Sequence, residues 1–312
     1  MRIEATGVCH TDLHVIEEDG WGHELPVLLG HEGAGTVEDV GEGVDTIARG
    51  DRVVIGWKTA CGACATCLRG EPRHCKRPAV APGRLHRENG EVLTPVLRTG
   101  TFATRTVVPA IGVAKVPREL RVEQACLVGC AVATGVMSAI ETAKVWPGAR
   151  VAVIGCGAVG LSVIQGARIA EAGEIRAIDV DERKLEQARR FGATEVGEGP
   201  VDFAFDVVGR RATFELALSL LASGGTAVLV GLSPAGERAE IGLPELFARR
   251  ARILVSHGGD HLPTDFPRLA EWALQGKLDL AHMVTRTAPL DGWWEAFDAM
   301  RNGDVIRTVL TP

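Results

Sequence analysis

The middle of the chain alternates between two hydrophobic patterns. Short continuous apolar runs are separated by segments in which apolar residues recur every three or four positions. Continuous runs suit strands buried on both faces of a parallel sheet, and a period near 3.6 suits amphipathic helices. Arg150–Ile154 therefore predicts a buried strand followed by a helix, and "IRAIDVD" predicts a second strand. "VDFAFDVVG" predicts a third, and "RATFELALSLLASGG" a helix closed by its glycine pair. "TAVLVGL" and "ARILVSHGG" complete the series as strands. One junction breaks the rhythm: only "GEGP" separates "FGATEV" from "VDFAFDVVG". Adjacent parallel strands need a crossover of about a dozen residues. Either "ATEV" stands outside the ladder or a crossover helix has been lost. At the start of the chain "RIEATGV" alternates as a half-buried strand should, with Met1 falling mid-strand.

Composition narrows the class. The 312 residues suffice for two domains, and 46% hydrophobic with 24% charged residues is ordinary for a soluble globular protein. A net charge of -6 supplies no basic field for nucleic acid or an anionic membrane. No apolar leader follows Met1, and the weakly polar stretch Val151–Ala167 falls short of a membrane span. The expected setting is cytoplasmic, with no nucleic-acid or membrane partner.

Four of the eight cysteines lie in "CGACATCLRGEPRHC", as Cys61, Cys64, Cys67 and Cys75. Two-residue gaps let successive thiolates converge on one tetrahedral ion. The stretch has too little apolar content for a core, so a metal staple would order it. Disulfides would need an exporting context, and a ferredoxin cluster closer spacing with a following proline. Structural zinc is the expectation.

A second motif follows the Arg150–Ile154 strand. Gly155, Gly157 and Gly160 make G-x-G-x-x-G, enclosing Val159. The glycines serve a tight turn, backbone approach to a pyrophosphate, and close packing of helix on strand. Phosphates favour the positive end of the helix. Asp179 closes the second strand at the distance expected of an acid that holds the adenosine ribose. A carboxylate there repels a 2′-phosphate, which points to NAD rather than NADP.

Scattered residues suggest a further metal site: Cys9 in "GVCHTDLH", His31 and Glu32 in "LLGHEGAGTV", and Cys130 in "LVGCAVATG". Two thiolates and an imidazole with an open fourth position form a catalytic zinc pattern. Each residue can equally be an ordinary core cysteine or hydrogen-bonded histidine, and spacing alone leaves both readings open.

Together, "GVCHTDLH", "GHEGAGTVEDVG", the four-cysteine segment, "GTFATRTVV", "VAVIGCGAVGL" and "IRTVLTP" resemble, in that order, the zinc-containing medium-chain alcohol dehydrogenases. The resemblance implies an α/β protein. A GroES-like β-barrel catalytic domain (1–131 and 258–312, with a zinc lobe at 58–78) would flank a Rossmann doubly wound parallel sheet (132–257). It implies catalytic zinc on Cys9, His31 and Cys130, backed by the acids Asp12 and Glu32. Structural zinc would sit on Cys61, Cys64, Cys67 and Cys75, giving two zinc ions per subunit. It places Thr11 beside the reacting alcohol and His14 at the end of a proton relay. His10 and Arg307 would contact the pyrophosphate, Thr134 would lie under the nicotinamide, Lys184 would sit near the ribose, and Trp57 would wall the substrate pocket. Cys126 and Cys156 match no ligand position and read as packing.

The implied activity is hydride transfer between NAD and a primary or aromatic alcohol to give an aldehyde, in a homodimer or homotetramer. Two alternatives accompany it. One is a dehydrogenase of a thiol adduct, S-hydroxymethyl-glutathione or -mycothiol. The other is an inactive zinc- and nucleotide-binding fragment. Family members usually carry a few tens of residues before "GVCHTD". The resemblance thus implies a barrel lacking its first strands and exposing unpaired edges.

Overall fold

The alternating start of the chain becomes strand β1 (Arg2–Gly7), which buries Ile3 and Ala5 and turns Arg2 and Glu4 outward. The computed structural model describes all residues except 19, 59, 76–84, 195–198 and 260. Its contacts divide the chain into two units, Met1–Cys130 with Asp260–Pro312, and Ala131–Gly259.

In the first unit β1 is followed by α1 (His10–Glu17), β2 (Val27–Leu28), β3 (Glu32–Thr36) and β4 (Arg52–Ile55). Then come α2 (Ala65–Leu68), β5 (Leu85–His86), β6 (Val92–Pro95), β7 (Val113–Lys115) and α3 (Val122–Leu127). The second unit runs α4 (Ala133–Met137), β8 (Arg150–Ile154), α5 (Ala158–Ile169), β9 (Glu174–Ile178), α6 (Glu182–Phe191), β10 (Val201–Asp206), α7 (Arg211–Ser219), β11 (Leu221–Leu229), α8 (Leu243–Arg249) and β12 (Arg252–Val255). The first unit resumes with α9 (Leu262–Leu274), β13 (Val284–Pro289), α10 (Trp293–Arg301) and β14 (Arg307–Thr311).

A six-stranded sheet of order β13-β14-β1-β3-β4-β7 organises the first unit. β1 is an interior strand: Thr6 pairs with Gly33 of β3 on one side and Leu310 of β14 on the other. The last strand of the chain is thus stitched to the first. Behind this seam Val8, Leu13, Ala296, Phe297 and Leu310 form one buried cluster, locking α1 and α10 onto β14. A second cluster of Ile3, Val37, Val53, Ile55 and Val113 fills the sheet's other end.

The second unit is a parallel five-stranded sheet, β12-β11-β10-β8-β9. β8 pairs with β9 on one side and β10 on the other, so the strand order reverses at β8. A crevice opens at such a switch point, at the carboxyl ends of the strands. Ala152, Ile154, Ala204, Phe214, Ala217 and Ala227 are among its core residues.

One alternative is resolved and one expectation needs correction. Ala193 and Thr194 of "ATEV" stand outside the ladder, while Glu195 and Val196 lie outside the described residues. Thr194 adds a single rung to β9: its N–H reaches Ile175 O (2.9 Å) and its Oγ1 accepts from Ile175 N (3.0 Å). Because β9 and β10 are not neighbours, α6 already supplies the crossover and "GEGP" need not. The glycine pair does not close α7, which ends at Ser219 with Leu220 as its cap. Leu221 is buried and pairs with Val201, so the strand starts early. Gly224, at φ +80, lies in the irregularity that separates this rung from the next, Phe203 with Thr226. Among the described residues the longest apolar helical run is Val122–Ala143, 22 residues. It is apolar and long enough to cross a membrane, but 78% of its most apolar window is buried within the protein, as in a core helix.

Candidate active site

The sheet seam builds the first cluster. Cys9 caps α1 in extended conformation, and its carbonyl accepts from Asp12 N (3.1 Å). The first turn of α1 thereby carries Asp12 inward to full burial. Glu32 opens β3 and His31 stands just before it, both fully buried. Cys130 arrives just beyond α3. The ligand atoms of Cys9, His31, Glu32 and Cys130 all lie within 4.8 Å of one another. Asp12 Oδ2 stands 3.1 Å from His31 Nδ1, and its Oδ1 accepts from Gly30 N (2.8 Å). That contact leaves His31 Nε2 to face the thiols. Nε2 is buried and makes no hydrogen bond among the described residues. Two thiols and an imidazole nitrogen gathered this closely, with an acid behind the imidazole, form a donor set that fits a metal ion.

The close-set groups also act on one another's charge. The neighbouring Cys130 thiol, then Arg307 and His31, hold Cys9 well below the usual thiol range despite its burial. Cys9 in turn pushes Cys130 well up. Burial works against a charged His31, but Asp12 and Cys9 outweigh it and raise it well above an ordinary histidine. Burial lifts Glu32 to about 7 against the pull of Arg307.

Arg307 is bound differently from the expectation. Its guanidinium is buried, donating to Glu32 Oε1 (2.8 Å) and Val8 O (2.9 Å). It therefore braces the residue before Cys9 and the residue after His31, a role with no local sequence signal. Gly7 is required here, since a Cβ would come 2.0 Å from Glu32 Oε2.

Around the cluster, Thr11 Oγ1 lies 3.7 Å from Cys9 Sγ. His14 Nδ1 meets Glu18 Oε1 at 2.9 Å and its ring stacks on Trp21. His10 is exposed at the start of α1, and Trp57 is half-buried just past β4.

The second cluster is local. Cys61, Cys64, Cys67 and Cys75 bring their sulfurs within 4.8 Å of one another, none of them buried. Cys64 Sγ lies 3.4 Å from Cys67 Sγ and 3.8 Å from Cys75 Sγ. Cys61 N donates to Cys75 Sγ (3.3 Å). The Thr66 hydroxyl, 3.0 Å away, helped by the Cys67 N–H, pulls Cys64 down to about 5. Four convergent thiols without a core again fit a tetrahedral metal.

In the second unit, Gly155 turns at φ +95 and donates to Ile178 O (2.8 Å). Gly157 caps α5, and a Cβ there would meet nothing within 4 Å: its backbone face is open. At Gly160 a Cβ would fall 1.8 Å from Gly155 O, so this glycine packs the helix onto the turn itself. Val159 is half-buried on the same turn. Asp179 accepts from Cys156 N (2.7 Å) and Asp181 N (3.0 Å), fixing the acid beside the glycine loop. Lys184 lies in the first turn of α6. Thr134 is half-buried, its carbonyl accepting from Ser138 Oγ (2.6 Å) and packed beneath Gly258. Cys126 and Cys156 are buried, their thiols raised by burial, as packing residues would be.

Comparison with known proteins agrees with both units. Residues 1–118 match the family described as "Alcohol dehydrogenase GroES-like domain" and residues 158–275 the family "Zinc-binding dehydrogenase". The chain is 38% identical to an S-(hydroxymethyl)glutathione dehydrogenase of Photobacterium damsela subsp. piscicida, over 99% of this chain and 91% of that protein. An alcohol dehydrogenase zinc-binding domain protein from Burkholderia ambifaria superposes with TM-score 0.93 at 33% identity, over 99% and 90% of the two chains. Benzyl alcohol dehydrogenase from Acinetobacter calcoaceticus gives 0.91 at 27%, with the same coverage.

Proposed function

The chain belongs to the zinc-dependent medium-chain alcohol dehydrogenases, and on that premise we propose that it oxidises a primary or aromatic alcohol to an aldehyde with NAD. The single observation that carries the reading is the convergence of Cys9, His31 and Cys130 around an otherwise unpartnered His31 Nε2. Cys9, His31 and Cys130 would hold a zinc ion, which would supply Lewis-acid polarisation of the substrate oxygen. The nicotinamide supplies the hydride acceptor.

The chain's own residues orient and move protons. Asp12 fixes the tautomer and tilt of His31. Arg307 neutralises Glu32, so that the donor set keeps its charge balance. Thr11 would take the alcohol proton at Oγ1 while giving up its own to the relay, and His14, its ring steadied by Glu18, would release a proton to solvent at the relay's end. Trp57 limits the substrate's bulk, while His10 serves the pyrophosphate and Lys184 the ribose. Gly155, Gly157, Val159 and Gly160 receive the phosphates, and Thr134 backs the nicotinamide. Asp179 selects NAD. The second cluster binds zinc in a structural role. Assembly as a homodimer or homotetramer is supported by β12, an outermost strand with Val255 64% exposed.

The 38% identical relative, an S-(hydroxymethyl)glutathione dehydrogenase, favours a second reading, oxidation of a thiol adduct of formaldehyde. Comparing NADH formation from benzyl alcohol with that from formaldehyde plus glutathione separates the two. NADH binding without turnover of either would sink both. Asp179→Gly should weaken NAD by roughly 1.5–3 kcal/mol, since hydrogen bonds to a charged group are lost. A wild type preferring NADP would refute the role of Asp179.

A further inference from the structure

β10 ends on Asp206, a fully buried carboxylate that neither the metal clusters nor the glycine loop employs. Three strand exits meet at it. Its backbone carbonyl accepts from Val230 N (2.9 Å) and Gly231 N (3.0 Å), tying the end of β11 to β10. Its Oδ1 accepts from Val208 N (3.0 Å) and Gly209 N (3.1 Å), folding the chain back after the strand. The next residue, Val207, donates to Ile154 O (2.9 Å), the last residue of β8.

The turn so held is packed without slack. Gly209 sits at φ +77, and a Cβ on Gly231 would come 2.3 Å from Gly209 N. Val208 lies over the phosphate loop: a Cβ on Gly155 would come 2.7 Å from Val208 Cγ2. Val208 itself is 42% exposed, an apolar side chain presented at the crevice where the strand order reverses. Burial raises Asp206, with the Gly209 N–H opposing. A dry carboxylate is costly unless its hydrogen bonds do something an apolar residue could not. Here they fix the shape of Val207–Gly209.

We propose that Asp206 is a positioning residue for the dinucleotide, presetting the 207–209 turn against Gly155 so that the crevice is formed before the cofactor arrives. The inference rests on the reading of the glycine loop as the NAD site. Preorganised walls raise affinity by removing the ordering that binding would otherwise require.

The test uses the zinc-loaded full chain, with NADH affinity from fluorescence titration and steady-state kinetics in NAD. Asp206→Ala should weaken NADH and raise KM for NAD about tenfold, with kcat lowered no more than about threefold. Asp206→Asn should stay within about twofold of wild type, because its amide oxygen accepts the same two N–H groups. Unchanged NADH affinity in Asp206→Ala overturns the proposal. So does a loss confined to kcat, or an Asn variant no better than Ala. If Asp206→Ala fails to fold, Asp206→Ser, which keeps one acceptor, carries the comparison. Failure of both to fold would make the residue one of stability and overturn the positioning role. A wild type that binds neither NADH nor NADPH would instead overturn the reading of the glycine loop, and the proposal with it.

Discussion

The two cysteine clusters solve the same coordination problem in opposite ways. Cys61, Cys64, Cys67 and Cys75 come from one short stretch, remain partly exposed and rest on no core. Cys9, His31 and Cys130 come from three distant stretches, and their burial depends on β1 lying between β3 and β14. The first site is a property of a segment; the second is a property of a fold. In the first, the metal organises the chain, because nothing else can. In the second, the fold gathers the donors: Asp12 and Arg307 hold the ligand-bearing segments.

That contrast can be broken most forcefully at the buried cluster. Cys9→Ser should lower alcohol oxidation by at least about 10³-fold, since several kcal/mol of charge stabilisation disappear. The fold and the metal of the four-cysteine lobe should persist, which elemental analysis and circular dichroism would check. Loss of both metals together would mean the sites are not independent. Removing a support rather than a ligand should cost less. Asp12→Asn should lower activity or zinc affinity by about 10- to 100-fold. Competition with a chelator would read the affinity apart from turnover. An Asn variant with wild-type zinc retention would show that burial alone orients His31.

Cys64→Ser should act locally. Zinc content should fall by about half, with trypsin newly cutting at Arg69 and the buried cluster still loaded. The smallest effect sharpens the comparison within the lobe itself. Immediately after chelation, while the lobe keeps its folded geometry, Cys64 sits at about 5 and Cys67 is pushed up to about 11, chiefly by desolvation. A thiolate forms above its group's own value, so at pH 6 iodoacetamide should label Cys64 and spare Cys67. Thr66→Val should slow Cys64 labelling at that pH, because the Thr66 hydroxyl is the main cause of its depression. Mass-spectrometric mapping would decide; equal labelling of the two thiols would contradict the assignment.

The same division governs what could be read in advance. The four-cysteine spacing, the glycine loop with Asp179, and the strand at 150–154 were all legible because each is specified by neighbours in the chain. The end of α7 was misplaced because a glycine pair is a good local stop, yet a buried Leu221 pairing with Val201 overrides it. The short link before β10 looked like a defect only while "ATEV" could be a ladder strand beside β10; α6 carries the chain across from β9.

By itself, then, the sequence determined the local chemistry of this protein: which residues can bind soft metals, where a backbone can cradle phosphate, and which runs must be buried. Resemblance named the remote ligands, but nothing in their spacing did. Only the tertiary structure decided that Cys9, His31 and Cys130 share one point, that Arg307 braces Val8 and Glu32, and that Asp206 joins three strand exits. The reason is physical. Periodicity and spacing report interactions across a few residues, whereas these contacts span up to 299 positions and exist only once the sheets have closed around them.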